Sequence, residues 1–424
     1  MTLALLAPAF AITLDEAWIA ADRASAQAGM IEETLNVART VPGVAWSLVT
    51  PKLVLKGNWT RNDEETKLDP SAFIPEQFQS LFPDSEPVIL NRLSYFDANA
   101  SVIQPLFAGQ ALPLLRAAYS EVNAATEEAK ASRGALRAGV ARAYWGVLVA
   151  REGERIAERA VESARRHREM AETRTKVGLA APTVPLRAKI AESRAARELA
   201  TATAGLTAAE ASLAQLTGLA TDTPVDLPTP RTLPWDSVEA ALAQAKDTQP
   251  AIRAARSHQR SAALQSTAQA LSWLPELNGR FTYAWTENTS AFSERESFWM
   301  AVVEGQWVLW DGGYRLAQQG KAAAQMRLAS LAADHAVSTT ETQVRALWAN
   351  HEAAATALTT VSLELELAEE NLRLAEVAYA AGSIIQLEFD DARLGEVAAR
   401  LGVMAERRNL DLAAVDLLVC VGTL

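Results

Sequence analysis

The sequence predicts a mixed α + β membrane protein in which long coiled-coil helices carry a small set of bilayer-length strands. Three observations carry that prediction. After Pro113 no proline occurs until Pro182, and none lies between Tyr314 and Ala381, so two unusually long helices are allowed. Four short segments alternate apolar and polar residues with period two. The same order of elements occurs twice along the 424 residues.

Composition narrows the function classes. The formal net charge is −11, from 40 basic and 51 acidic residues, which argues against nucleic acid as a partner. One cysteine, Cys420, excludes a disulfide framework within the chain and reads as a small buried hydrophobe. No run of about 18 apolar residues exists, so a transmembrane helix is excluded, but a membrane β-barrel is not. Residues 1–11, MTLALLAPAFA, end in an A-x-A triplet without a basic stretch before the apolar run. They read as a truncated secretory signal or as an ordinary apolar arm, followed at once by the helix start Thr13-Leu14-Asp15-Glu16.

The duplication sets the domain plan. Leu14-Asp15-Glu16-Ala17-Trp18 is echoed by Val238-Glu239-Ala240-Ala241-Leu242, and Pro51-Lys52-Leu53 by Pro275-Glu276-Leu277. Gly178 pairs with Gly382 and Gly218 with Gly422. The first repeat is expected over 12–218, with strands at about 51–62 and 92–107 and a helical hairpin at about 110–217. The second is expected over 237–424, with strands at about 276–287 and 297–310 and a hairpin at about 314–421. Between them, 219–236 carries Pro224, Pro228, Pro230 and Pro234 and reads as a crossover. Each copy runs helix, strand, loop, strand, very long helix, tight turn, helix.

At 1.5 Å per residue, a 65-residue helix spans roughly 100 Å. In the second long helix Val337, Val344, Leu347, Leu358, Val361, Leu365, Ala368, Leu372, Ala375 and Tyr379 keep one 3-4 register. The first is richer in small residues, with Val122, Ala125, Ala129, Ser132, Leu136, Gly139 and Ala143 in register. A wall of adjacent helices and a two-stranded rod both fit that spacing.

The strands put Leu53, Leu55 and Trp59 on one face, with Phe96, Ala98, Ala100 and Val102 in the next strand. Phe281, Tyr283 and Trp285, then Trp299, Ala301, Val303 and Trp307, continue the pattern. Trp59, Tyr95, Tyr283, Trp285, Trp299 and Trp307 fall near segment ends, as membrane-interface aromatics do. Four strands cannot close a barrel, and an open edge in lipid costs several kcal/mol per unpaired group. If these strands span a membrane, the chain must assemble, and a homotrimer would supply twelve strands around a lumen. A small soluble sheet on a helical rod is the alternative.

The order of elements, the Gln104-Pro105-Leu106-Phe107-Ala108-Gly109 strand exit, its counterpart Asp311-Gly312-Gly313, the Tyr379-Ala380-Ala381-Gly382 turn and the terminal Gly422-Thr423-Leu424 resemble the outer-membrane efflux proteins, TolC-like channels. The similarity runs from about Leu14 to the last residue. It implies a homotrimer with a twelve-stranded barrel in outer-membrane lipid, continued by a periplasmic α-barrel of antiparallel coiled-coil helices. It also implies a passive conduit in tripartite efflux or type I secretion. Its partners would be a periplasmic adaptor (membrane fusion) protein and an inner-membrane RND, ABC or MFS-type transporter.

By the same resemblance, Val177, Gly178 and Leu179, and Ala381, Gly382 and Ser383, are the adaptor-docking tips. Glu388 and Asp391, six and nine positions after Gly382, are candidates for an acidic ring at the aperture, and Tyr379 and Arg187 for its latch. Spaced i, i+3, the two acids share a helix face, which a solvated surface would also explain. Val184 and Ile384 stand where relatives carry acidic and basic gating residues, so the closure would be built differently here.

Other chemistry is not signalled. There is no GxxxxGK[ST] loop, the four histidines lack metal-ligand spacing, and no nucleophile is paired with a base, so no enzyme, metal or cofactor is expected. The Asn-x-Ser/Thr triplets at Asn58, Asn99 and Asn288 read as chance matches. A periplasmic coiled-coil structural or adaptor protein without a pore is the competing function.

Overall fold

The computed structural model describes residues 11–69, 75, 87–178, 181–289, 295–381 and 383–424. Most of the apolar N-terminal segment lies outside the described residues, as do Leu179 and Gly382 of the two turns. The described residues form two compact units. One comprises Met1–Asn36, Ala124–Arg256 and Ala332–Leu424, the other Val37–Asn123 and Ser257–Leu331.

Helix α1 (Leu14–Ala24) opens on a capping box: the Glu16 amide donates to Thr13 Oγ1 at 3.3 Å, and the Thr13 amide donates to the Glu16 carboxylate at 2.8 Å. The chain breaks at Ser25, whose hydroxyl accepts from the Ala28 amide at 3.0 Å and so starts α2 (Ala26–Trp46). In the second half, α5 (Val238–Thr248) and α6 (Pro250–Leu271) are separated at Gln249, held extended at ψ 119°. The ring of Pro250 disfavours a helical residue before it. One helix is expected ahead of each strand pair, and two are found, because a side-chain cap and a proline each restart the helix.

Four longer helices follow the strands: α3 (Ala111–Lys176), α4 (Thr183–Thr217), α7 (Tyr314–Ala380) and α8 (Gln386–Val421). Along the last part of α7 the register positions Val361, Leu365, Ala368, Leu372, Ala375 and Tyr379 are the partly covered ones, while their neighbours are mostly exposed. In α3 the seam widens instead. Leu136, Ala138, Val140, Ala141, Tyr144 and Trp145 are all buried, whereas Ser132 is exposed.

That widening marks the main core of the first unit. Leu14, Ala17 and Trp18 of α1 meet Leu136, Val140 and Trp145 of α3, with Leu213 of α4 and Val415 of α8. Its polar groups are placed with care. Trp18 Nε1 donates to the Arg137 carbonyl at 2.8 Å, and Trp145 Nε1 to the Asp411 carboxylate at 2.7 Å. Burial pushes the Asp411 carboxyl above its ordinary value. The Tyr144 hydroxyl lies 2.7 Å from the Ile12 carbonyl and 2.6 Å from that of Asp226, which ties the proline-rich crossover to α3. Arg231 of the crossover pairs with Asp15 at 2.7 Å and covers the Trp18 ring at 4.3 Å. A second core gathers Trp235, Leu242, Val344, Leu417, Cys420 and Val421.

Both short hairpin helices end on a left-handed glycine, Gly218 at φ 70° and Gly422 at φ 82°. A Cβ on Gly218 would meet that of Ala24 at 2.9 Å, and one on Gly422 would meet the Thr248 carbonyl at 2.7 Å. Gly422→Ala therefore combines a strained φ, worth ~1–2 kcal/mol, with a backbone clash, and is expected to cost about 2 kcal/mol or more. Thermal unfolding of the variant reads this; an unchanged midpoint would show that the close approach is not obligatory.

The second unit holds the strands. A four-stranded antiparallel sheet is formed by β1 (Lys52–Arg61), β4 (Ser94–Phe107), β5 (Glu276–Thr286) and β6 (Ser297–Gln306), in that order. The link from β1 to β4 contains a small hairpin, β2 (Thr66–Leu68) with β3 (Val88–Asn91), where only a polar loop is expected from the sequence. β6 ends at Gln306 rather than near 310. The backbone then turns through Gly312 and Gly313, at φ 70° and 89°, into α7.

Candidate functional site

The sheet brings the alternating residues of four separate segments into register. Leu55 pairs with Ala100, Ala100 with Tyr283 and Tyr283 with Trp299. Leu53, Val102, Phe281 and Ala301 form the next row. Because side chains alternate strictly, every member of these rows lies on one face. That face is exposed: Leu55 is 74%, Trp299 67% and Val303 71% accessible. A continuous apolar surface of this kind is a contact surface for lipid or for another protein.

The opposite face is mostly polar, although β6 also turns Phe298, Met300 and Val302 to it. Ser101 and Thr282 hydroxyls lie 3.0 Å apart, Thr286 donates to Asp97 at 2.5 Å, and Arg280 stands 3.9 Å from Glu304. An apolar outer face and a wet inner face are the two sides of a membrane barrel wall. The strands have 10, 14, 11 and 10 residues, enough to cross a bilayer when tilted. Their outer edges, on β1 and β6, pair with no strand among the described residues.

Aromatic residues gather at the loop end of the apolar face. The Phe96 and Trp285 rings are 6.1 Å apart, and Trp59 pairs with Phe96. Phe281 and Trp299 stack at 6.1 Å nearer the middle, beside Tyr283. Tyr95 stands on the polar face opposite Thr60, one residue out of phase with Phe96. Trp307 lies past the end of β6 and donates to the Trp273 carbonyl at 3.0 Å. Beside it, Arg315 is buried, bonded to Asp311 at 2.8 Å and stacked over Trp273 at 4.4 Å. At the loop end, Arg92 donates its amide to Asn288 at 3.0 Å, and Glu287 accepts from the Phe96 amide at 2.9 Å, so the two links are joined.

The first unit holds the turns after α3 and α7, which the sequence presents as tips. Gly178 adopts φ 75° and its amide donates to the Thr175 carbonyl at 3.1 Å. The amides of Ala381 and Ser383 donate to Val377 and Ala378 at 3.0 and 2.9 Å, closing the end of α7. Val177 and Ile385 are each 63% exposed apolar side chains there. Tyr379 stacks on Phe389 of α8 at 5.2 Å. Tyr379 and Arg187 line one cleft together with Asp390 and Arg393. Glu388 and Asp391 do not enter it, and both are exposed.

The matching of known families now decides the identity: the model described as "Outer membrane efflux protein" covers residues 13–219 and 241–423. The chain belongs to the outer membrane efflux protein family. Membership places it in the outer membrane, with its helical part in the periplasm. A comparison with curated proteins returns no match. Among solved structures, the outer membrane protein VceC of Vibrio cholerae is similar at 19% identity and a TM-score of 0.73, covering 96% of each chain. The outer membrane channel CmeC of Campylobacter jejuni gives 13% identity and 0.79, over 97% of this chain and 85% of that one. The open state of the Neisseria gonorrhoeae MtrE outer membrane channel gives 18% and 0.76, over 96% and 88%. At such identities the likeness shows a shared fold, the helix-rich architecture of TolC-like channels.

Two contacts of this efflux-family chain, between Asp390 and His167 and between Arg393 and Ser163, escape a reading of the sequence. Asp390, rather than Asp391, faces the cleft, with His167 of α3 at 3.8 Å, and Arg393 hydrogen-bonds to the Ser163 hydroxyl. One step along a helix turns a side chain by about 100°, and neighbouring acids at 388, 390 and 391 give no phase of their own. The contact from α3 to α8, between residues more than two hundred apart, had no sequence signal.

Proposed function

We propose that three copies of this chain close their sheets into a twelve-stranded barrel, continued by a helical tunnel, and act as a passive exit duct. The duct is fed by a periplasmic adaptor and an inner-membrane RND, ABC or MFS-type pump, in tripartite efflux or type I secretion. The observation that carries this reading is the sheet: one exposed apolar face, one mostly polar face and two edges that pair with no strand among the described residues. In lipid an unpaired edge is untenable, and pairing β6 of one copy with β1 of the next removes all of them. The twin glycine-capped hairpins, at Gly218 and Gly422, support an origin by duplication over 12–218 and 237–424.

The tip residues take their roles from this reading. Val177, Gly178, Leu179, Ala381, Gly382 and Ser383 would meet the adaptor, and Tyr379 with Arg187 would latch the closed aperture. Three copies of Glu388 and Asp391 would set six carboxylates around a narrow axis, a cation-attracting ring. The double variant Glu388→Ala, Asp391→Ala is expected to weaken block by multivalent cations at least about tenfold in single-channel records. Unchanged block and selectivity would put these carboxylates away from the lumen.

A further inference from the structure

The cleft beside Tyr379 has a volume of about 710 Å³, within the range of small-molecule pockets. Its charge is one-sided. Arg174 of α3, Arg187 of α4 and Arg393 of α8 all line it, with His167. The one carboxylate among the described lining residues is Asp390, which lies against His167. None of the three guanidinium groups forms an ion pair with a described residue. Glutamates are not scarce nearby: Arg165, Arg166 and Arg168 of the same stretch of α3 pair with them at 3.2, 3.7 and 2.9 Å. Arginines from three helices thus line one concavity without an ion pair to a described residue, Arg393 donating to the Ser163 hydroxyl, while the neighbouring arginines are neutralised on the helix surface.

The rest of the wall is apolar. Met170, Val184 and Leu394 are 45%, 39% and 61% exposed beside the charged groups. We infer that this cleft binds an amphipathic organic anion. The acidic head sits between Arg174, Arg187 and Arg393, where forked charge-assisted hydrogen bonds are available, and the apolar body covers Met170, Val184 and Leu394. An inorganic ion would satisfy the arginines but leave the apolar wall and most of the volume unused. The cleft is lined by residues of a single chain, and it includes Tyr379 and Arg187 of the latch proposed above.

A matched pair of probes tests it. The full chain, purified in a nonionic detergent, is titrated into 4-(trifluoromethyl)phenylacetate and, separately, into the neutral primary amide of that acid, with binding followed by fluorine NMR. The acid is expected to bind at least about tenfold more tightly than the amide, the loss anticipated for one charged hydrogen-bonding head. Arg187→Gln and Arg393→Gln should each weaken the acid by roughly tenfold, Arg393→Lys by less, and Arg165→Gln not at all. Arg187 is exposed on α4, so its variant keeps the test decisive should Arg393→Gln fail to fold. Equal binding of acid and amide, binding of neither, or indifference to both glutamine variants would overturn the inference.

Discussion

Leu55→Arg is expected to keep the protein out of the membrane. Leu55 sits mid-strand in β1, level with Ala100, Tyr283 and Trp299 across the sheet, and is 74% exposed on the apolar face. A cation on the lipid side of a barrel costs ~2–4 kcal/mol near the midplane. In a trimer that cost is incurred three times in one assembly. The variant should disappear from the outer-membrane fraction and from the detergent-extracted oligomer. Lys56→Gln, one residue along and on the other face, should leave both unchanged. Equal membrane recovery for the two variants would mean that the apolar face does not meet lipid.

The second large effect is expected inside the helical unit. Trp145 is 2% exposed, and its indole donates to Asp411. Trp145→Ala removes the largest fully buried side chain there and should cost about 3–5 kcal/mol. It also strips Asp411 of that donor. The other Asp411 oxygen already has no hydrogen-bond partner among the described residues, so the truncated site holds a poorly satisfied carboxylate. Trp145→Phe keeps most of the volume and should lose only ~1–3 kcal/mol, the share of the hydrogen bond. Denaturant unfolding of both variants separates packing from hydrogen bonding. Similar small losses for the two would show that Trp145 is not central to the core.

Much of this architecture is legible in the sequence, for physical reasons that differ by element. The strand faces are legible in β1, β4 and β5 because apolar and polar residues alternate there, and the rows of Leu55 and Leu53 follow from it, whereas in β6 Phe298 to Val303 are apolar on both faces. Long helices are legible because proline is excluded from their interiors. The sheet order is not, since β4 pairs with β5 across the two halves and no local pattern encodes that neighbour. In the β2–β3 hairpin, β2 has only three residues, too few for alternation to show, although Val88, Ile89 and Leu90 of β3 are apolar. At the tip, the turn glycines could be found from the backbone they demand. The side chains that share the cleft could not, because Asp390 and Asp391 differ only in helical phase, and that phase is set by packing against α3.

The family, the apolar face and the paired halves all converge on one claim, that a single chain is an incomplete wall and three chains complete it. Light scattering of the detergent-extracted protein, with the detergent mass subtracted, addresses it most directly. The account predicts a mass of three chains, in particles that open conducting pores in planar bilayers. A monodisperse single chain that remains in solution once detergent is withdrawn would contradict it.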